Sequence, residues 1–92
     1  MKVNVVKPQR VVWSAETREV TVEADGKTII VRQHEDDNGG ENWVAVGDGS
    51  FVETYKLEDE ELRKLADAIA YNIRNGDFDE EGTEFDSSEY DD

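Results

Sequence analysis

Alternating apolar and polar residues flank the dipeptide Asp25-Gly26, and this pattern predicts a β-hairpin. A two-residue hairpin turn requires positive φ at both central positions, which aspartate and glycine tolerate. The register that this turn sets places apolar residues opposite apolar ones and an acid opposite a base, as cross-strand pairing favours. The predicted pairs are Val22 with Ile29, Val20 with Val31, and Glu19 with Arg32.

A second hairpin is predicted over residues 42–56, because another apolar run is followed by a glycine-rich turn. Asp48-Gly49 would supply the turn and place Val46 opposite Phe51. We expect the segment Glu35–Glu41, which has no apolar anchor, to be a polar loop between the two hairpins.

Two further apolar runs, Val3–Val6 and Val11–Trp13, lie on either side of Pro8. Proline cannot donate a hydrogen bond to a central sheet ladder, so it is confined to edge strands, strand starts and bulges. At least one of these runs is therefore expected to add an edge strand.

The apolar period changes to three and four residues after Glu58, which predicts an amphipathic helix from about Glu58 to Asn75. Acids in the first turn favour the positive end of the helix dipole, and Gly76 is a suitable stop. The buried stripe would consist of Leu62, Leu65, Ala66, Ile69, Ala70 and Ile73. We expect it to pack on a sheet face formed by Trp13, Trp43, Phe51 and Tyr55.

Together these elements predict an α+β fold: an antiparallel sheet of four to five strands, with one C-terminal amphipathic helix packed on one face. The domain would span residues 1–76, and residues 77–92 would form an acidic tail with nine acids and no base. Such a composition is typical of a disordered segment.

Charge is distributed very unevenly along the chain. Residues 1–34 hold six basic and four acidic side chains, whereas residues 35–92 hold four basic and twenty acidic ones, and the net charge is −14. Clustered carboxylates oppose compaction, and −14 exceeds the magnitude of about 2 to 8 that serves solubility in a small domain. We interpret the acids as a binding surface for a cationic partner. An anionic protein is repelled by nucleic acid and by anionic membranes, so we expect direct binding to neither.

No pattern in the sequence is typical of an enzyme, a cofactor site or a transition-metal site. The chain has no cysteine and a single histidine, His34, which leaves a transition metal without ligands. Asp77, Asp79 and Glu81 match the first half of a calcium-binding loop, but Ser88 stands where a bidentate glutamate is required. We expect no enzyme, no cofactor and no metal. Weak binding of a divalent ion by the tail stays open as an alternative, which a calcium-dependent change in stability would reveal.

The candidate partner-binding residues are the acids of the polar loop, of the helix and of the tail, with two tail aromatics as anchors. Carboxylates four residues apart on a helix lie about 6 Å apart, which is comparable to the spacing of phosphates along a nucleic-acid strand. The predicted contacts are Asp36, Asp37, Glu41, Glu60, Glu61, Asp67, Asp79, Glu80, Glu81, Glu84 and Asp86, and the anchors are Phe85 and Tyr90.

In size, acidity and layout the chain resembles the small phage-encoded anti-defence proteins, namely anti-CRISPR inhibitors and other DNA mimics. The likeness covers the whole chain but includes no diagnostic motif, so no functional residue is carried over from the class. It implies a protein that needs no cofactor and blocks a nuclease or its DNA channel. The basic N-terminal third departs from this pattern. Its basic side would face away from the partner or bind the chain's own acidic tail. Its basic residues are Lys2, Lys7, Arg10, Arg18, Lys27 and Arg32.

The expected function is stoichiometric inhibition of a nucleic-acid-binding defence complex by carboxylates that occupy its basic groove, with a CRISPR effector as the expected partner. The alternative is a small non-enzymatic adaptor that docks by its sheet edge and whose tail only aids solvation. The absence of a signal peptide pattern or a spanning segment predicts a cytoplasmic protein, in the host cell if it is phage-encoded. A monomer is favoured over a dimer formed through the helix stripe.

Overall fold

The computed structural model describes residues 2–36, 39–74 and 84–86. An antiparallel sheet is covered on one face by a single helix, so the predicted α+β class is confirmed. Five strands precede the helix and a short sixth strand follows it, in the spatial order β5-β4-β3-β2-β1-β6. The elements are β1 (Lys2–Val11), β2 (Thr17–Ala24), β3 (Lys27–Asp36), β4 (Gly39–Val46), β5 (Val52–Glu53), a 3₁₀ turn (Thr54–Lys56), α1 (Glu60–Arg74) and β6 (Glu84–Asp86).

The first predicted hairpin is confirmed, together with its register. Asp25 and Gly26 both adopt positive φ, at 52° and 73°, as the tight turn between β2 and β3 requires. All three predicted cross-strand pairs are present: Val22 with Ile29, Val20 with Val31, and Glu19 with Arg32.

The prediction of a polar loop over Glu35–Glu41 is wrong for the residues that the structure describes there, Glu35–Asp36 and Gly39–Glu41. These residues belong to strands β3 and β4, in which Glu35 pairs with Gly40 and Asp36 pairs with Gly39. Backbone amides and carbonyls make the ladder whatever side chains they carry. The lack of an apolar anchor therefore did not prevent strand pairing here.

The hairpin predicted for residues 42–56 exists in reduced form and in a different register. Strand β5 has two residues and pairs Glu53 with Trp43 and Val52 with Val44, so the predicted pairing of Val46 with Phe51 is wrong. The turn also begins one residue earlier than predicted. Gly47, rather than Asp48-Gly49, adopts the positive φ of 61°, and the amide of Gly49 donates to the Val46 carbonyl at 3.0 Å. A glycine at the first central position of a turn readily takes this conformation.

Helix α1 begins at Glu60, two residues later than predicted, because Asp59 caps it. The Asp59 carboxylate accepts hydrogen bonds from the backbone amides of Glu61 at 3.1 Å and Leu62 at 3.2 Å. The predicted apolar stripe faces the sheet: Leu65, Ala66, Ile69, Ala70 and Ile73 are buried and Leu62 packs on the core partly buried. Gly76, the predicted stop, lies outside the described residues.

The face that receives the helix is aliphatic, and the prediction of an aromatic core face is wrong. Its buried residues are Val3, Val5, Val20, Val22, Ala24, Ile29, Val31 and Val44. Trp13 is 75% exposed and Tyr55 is 66% exposed, while Trp43 and Phe51 are only half-buried. Trp43 pairs with Arg32, the neighbour of buried Val31, so strand alternation places Trp43 on the face away from the helix.

Strand β1 runs continuously through Pro8, with irregular register on both sides of Lys7. Its outer edge is paired with β6 through three residue pairs, Lys2 with Asp86, Val3 with Phe85 and Asn4 with Glu84. The expectation of a disordered tail is therefore wrong for Glu84–Asp86. The prediction of disorder rested on the acidic composition of the tail alone. The edge of β1 supplies backbone hydrogen-bond partners for these residues and places basic Lys2 opposite acidic Asp86.

Candidate functional site

The face of the sheet away from the helix carries a polar and aromatic cluster centred on Arg32. Arg32 lies between Glu19 on β2 and Trp43 on β4, and residues paired across an antiparallel ladder share one face. The pairing of Glu19 with Arg32 is predicted from the sequence, where it supports the hairpin but does not indicate a site.

Glu19 anchors the Arg32 side chain through two hydrogen bonds. Its Oε1 accepts from Nε of Arg32 at 3.1 Å and from Nη2 at 2.7 Å, and its Oε2 accepts from Nη2 of Arg10 at 3.3 Å. The Glu19 side chain is 9% exposed and the Arg32 side chain 12% exposed. A carboxylate so far removed from water requires charged partners, which these two arginines provide.

The guanidinium of Arg32 lies close to two aromatic rings. Its Cζ atom lies 3.8 Å from the ring centroid of Trp13 and 4.1 Å from that of Phe51. A planar guanidinium stacks well on aromatic faces and is attracted to their negative potential. The rings of Trp13 and Trp43 are 6.3 Å apart and tilted by 57°. Arg32 therefore contacts two of the aromatic rings, and the Trp13 ring lies against that of Trp43.

These side chains form an open groove of about 370 Å³ that we call the aromatic groove. It is lined by Trp13, Arg32, Trp43, Phe51, Val52, Glu53 and Lys56. None of these residues was among the predicted partner contacts. The available sequence signal was the Glu19–Arg32 register, which puts Arg32 on the face opposite the aliphatic core.

Trp13 enters the groove from a strained turn. Its φ of 65° lies in the left-handed region, which is uncommon for a bulky side chain and costs about 1–3 kcal/mol. Three short-range backbone hydrogen bonds enforce this conformation: the amide of Val12 donates to Thr17, that of Ser14 to Val12, and that of Thr17 to Ser14, at 3.0, 2.7 and 3.1 Å. The turn therefore fixes an indole that is mostly exposed.

His34 helps to fasten the same turn to β3. Its Nδ1 lies 2.8 Å from the hydroxyl of buried Thr17, whose oxygen lies 3.1 Å from that of Ser14. The single histidine thus takes part in a hydrogen-bonded chain that stabilises the base of the Trp13 turn. Within residues 2–36, 39–74 and 84–86, no group of three or more histidine, cysteine or acidic side chains could hold a metal ion.

The structure places four predicted contact acids on the surface of the domain. Glu41 lies on β4 opposite His34, Glu60 and Glu61 occupy the first turn of α1, and Asp67 lies further along the helix; all four are exposed. Asp36 ends β3, and Glu84, Phe85 and Asp86 form β6. Asp37, Asp79, Glu80, Glu81 and Tyr90 lie outside the described residues.

Helix α1 does not carry the carboxylate spacing on which the mimicry argument relied. The residue four positions after Glu60 is Lys64, and the two side chains form an exposed ion pair at 3.7 Å. Three bases within α1, Arg63, Lys64 and Arg74, equal its three acids in number. The helix therefore contributes individual acids rather than a row of phosphate-like charges.

Comparison with protein-family models, curated proteins and solved structures finds no match to this chain. The part of the chain described by the structure includes no helix with the length and apolar character needed to cross a membrane. Two surfaces of the described residues are candidates for binding: the aromatic groove and the exposed acids.

Proposed function

We propose that the protein is a stoichiometric, non-enzymatic inhibitor of a nucleic-acid-binding defence complex. The observation that carries this proposal is the exposure of its acids. Glu19 alone is buried among the acids whose side chains the structure describes, while the others all reach solvent. With a net charge of −14, this surface is suited to a strongly cationic partner.

Several basic residues that could offset this surface are engaged within the domain. Arg10 and Arg32 contact Glu19, Lys56 lies 3.7 Å from Glu53, and Lys64 pairs with Glu60. The backbone of the acidic β6 also pairs with β1 at Lys2–Asn4. These contacts support a one-sided mimic, in which two bases of the N-terminal third, Arg10 and Arg32, are used internally while other acids face the partner.

The proposed mechanism is exclusion of nucleic acid from a basic groove. Carboxylates pair with the lysines and arginines that otherwise hold phosphates, and complementary charge accelerates association. A CRISPR effector is the partner we favour, because it holds its heteroduplex in a positively charged channel and grips a short duplex beside it. A phage origin and a role in counter-defence belong to this proposal.

Capture from a bacterial lysate, with the immobilised protein and mass spectrometry of what it retains, tests the proposal. The test variant neutralises three predicted contacts by Glu60→Gln, Glu61→Gln and Asp67→Asn. A matched control changes three exposed acids of the N-terminal part by Glu16→Gln, Glu23→Gln and Asp25→Asn, so that both variants lose the same charge.

The proposal predicts that the wild type and the control retain a nucleic-acid-binding protein at low salt and lose it at high salt. The test variant should retain less of it at every salt concentration. Equal retention by both variants would show that charge at the predicted positions has no special role. A retained partner without a cationic cleft would contradict the mechanism.

An adaptor function is the second candidate, and the edge of β1 favours it. Among the described residues, β6 pairs with β1 at Lys2–Asn4, and Val6 and Val11 further along β1 are 41% and 51% exposed. An extended partner segment could add to such an edge. Val6→Lys with Val11→Lys should abolish binding by an edge-docking partner while leaving binding through the acids unchanged.

A further inference from the structure

A β-bulge in β1 turns Lys7 toward the sheet face away from the helix. Residues two apart in a regular strand share one face, so Lys7 would otherwise lie beside buried Val5 on the helix side. The partner of Val5 is Val22. The partner of Lys7 is Thr21, the immediate neighbour of Val22 in β2. Val6 is therefore an extra residue in β1, and it moves Lys7 to the opposite face of the sheet.

A second bulge keeps Arg10 on the same face as Lys7. Residues three apart in a regular strand point to opposite faces. Lys7 pairs with Thr21 and Arg10 with Glu19, so residues 8–9 of β1 stand opposite a single residue of β2. Glu19 and Thr21 are two residues apart in β2 and share a face, so their partners share it too. Bulges occur often beside functional sites, where they redirect a side chain.

The two bulges gather more positive charge than this face neutralises. Lys7, Arg10 and Arg32 share the face with one buried acid, Glu19, and we call these four residues the basic cluster. Glu19 accepts hydrogen bonds from both arginines. Among the described residues, no acid lies within 4.0 Å of the Lys7 ammonium, and Arg10, whose side chain is 60% exposed, makes one hydrogen bond. A guanidinium has five N–H donors, so the basic cluster keeps donors open to solvent.

The charge of the basic cluster and its surroundings favour a small oxyanion. Three bases against one acid leave an excess of two positive charges, which matches the charge of a phosphate monoester near neutral pH. Guanidinium and ammonium groups are the usual phosphate-binding groups of proteins. Exposed Glu23 and Glu41 lie on the same face, so a long polyanion would meet acids beside the cluster and a small anion would not. We propose that the basic cluster binds the phosphate group of a small phosphomonoester through Lys7 and Arg10.

Thermal unfolding of the full-length protein at about pH 7.5, where phosphate is mostly dianionic, tests the proposal. Sodium phosphate is titrated against sodium chloride at constant ionic strength, and the melting temperature of the wild type should rise and saturate. Lys7→Gln should raise the apparent dissociation constant for phosphate by about threefold or more, whereas Lys7→Arg should bind as the wild type does. The matched control Lys27→Gln removes an exposed base outside the basic cluster and should also bind as the wild type does.

The comparison among variants separates binding from a general effect, because phosphate is excluded from protein surfaces and stabilises any folded protein. The inference is overturned if Lys7→Gln and Lys27→Gln respond alike, or if sodium succinate, a dicarboxylate, gives the same saturable rise. It is also overturned if an acidic phosphoserine peptide binds more tightly than inorganic phosphate, because the ligand would then be a modified protein. Salt-dependent capture of a nucleic-acid-binding protein uses the acids, so it would persist if only this inference failed.

Discussion

Arg32 and Glu19 lie opposite each other on β3 and β2, with Nη2 of the arginine 2.7 Å from Oε1 of the glutamate. The same guanidinium stacks on Trp13 and Phe51. One side chain thus pairs with a buried carboxylate and also stacks on two aromatic rings of the groove. Stability and the shape of the groove are therefore coupled through Arg32.

The first prediction concerns this pair. Arg32→Leu leaves the Glu19 carboxylate with Arg10 as its remaining arginine partner, and we expect a loss of about 3 kcal/mol in the free energy of unfolding. Urea denaturation measures the loss. In the double variant Glu19→Leu with Arg32→Leu the loss should be smaller than in Arg32→Leu alone, because no buried carboxylate is left and the Arg10 side chain, which is 60% exposed, is solvated. A double variant at least as unstable as the single one would contradict this explanation, because the cost would then not come from the under-compensated Glu19 carboxylate.

The second prediction concerns the packing of α1 on the sheet. Ile69 is fully buried, so Ile69→Ala should destabilise the protein by about 3 kcal/mol through lost burial and the cavity left behind. Tyr71→Ala on the exposed side of the same helix should change stability by less than about 0.5 kcal/mol. Similar melting temperatures for the two variants would mean that α1 does not pack through this stripe.

The elements that the sequence predicted well are those whose signals are local. Asp25-Gly26 specifies its own turn, and the repeat of apolar residues from Leu62 to Ile73 specifies the buried side of α1. Strand β6 could not be predicted, because its three residues carry an acidic composition and gain their partner only from β1, far away in the sequence. The pairing of Asp36 with Gly39 could not be predicted for a similar reason. Backbone hydrogen bonds form between strands whatever their side chains, so this polar segment shows no apolar alternation that would indicate a strand.

The candidate groove was missed because aromatic residues were assigned to the core by type. The run from Trp43 to Val46 is apolar at every position, so alternation within β4 does not reveal which residues face the helix. Only the register with β3 shows that Trp43 shares the face of Arg32. Trp13 lies outside the strands, in a turn where it adopts positive φ itself. Positive φ is usually predicted from a glycine, so the sequence gives no signal for this turn.

The third prediction concerns β6. Phe85→Pro removes a backbone donor from a paired strand, and we expect it to lower stability by about 1 kcal/mol and to speed amide hydrogen exchange within Lys2–Asn4. Phe85→Thr keeps both the donor and a residue that favours strands, so its exchange rates should stay close to those of the wild type. Unchanged exchange in the proline variant would contradict the pairing of β6 with β1.

The fourth prediction concerns the tail acids that lie outside β6. Asp79→Asn, Glu80→Gln and Glu81→Gln together should weaken binding to the captured partner by about tenfold or more, because each removes an anionic contact. The melting temperature should stay close to that of the wild type. Deletion of residues 77–92 is a poorer experiment, since it also removes β6. Full binding by the triple variant would remove the tail from the proposed interface.

The most direct measurement is the affinity for the captured partner as a function of salt, from about 50 to about 200 mM. If carboxylates replace phosphates in a basic groove, the dissociation constant should rise by about a hundredfold or more over this range, and the partner's nucleic acid should compete for the same site. A dissociation constant that changes by less than about threefold, or a ternary complex with nucleic acid still bound, would contradict the proposal that the acids occupy a nucleic-acid groove.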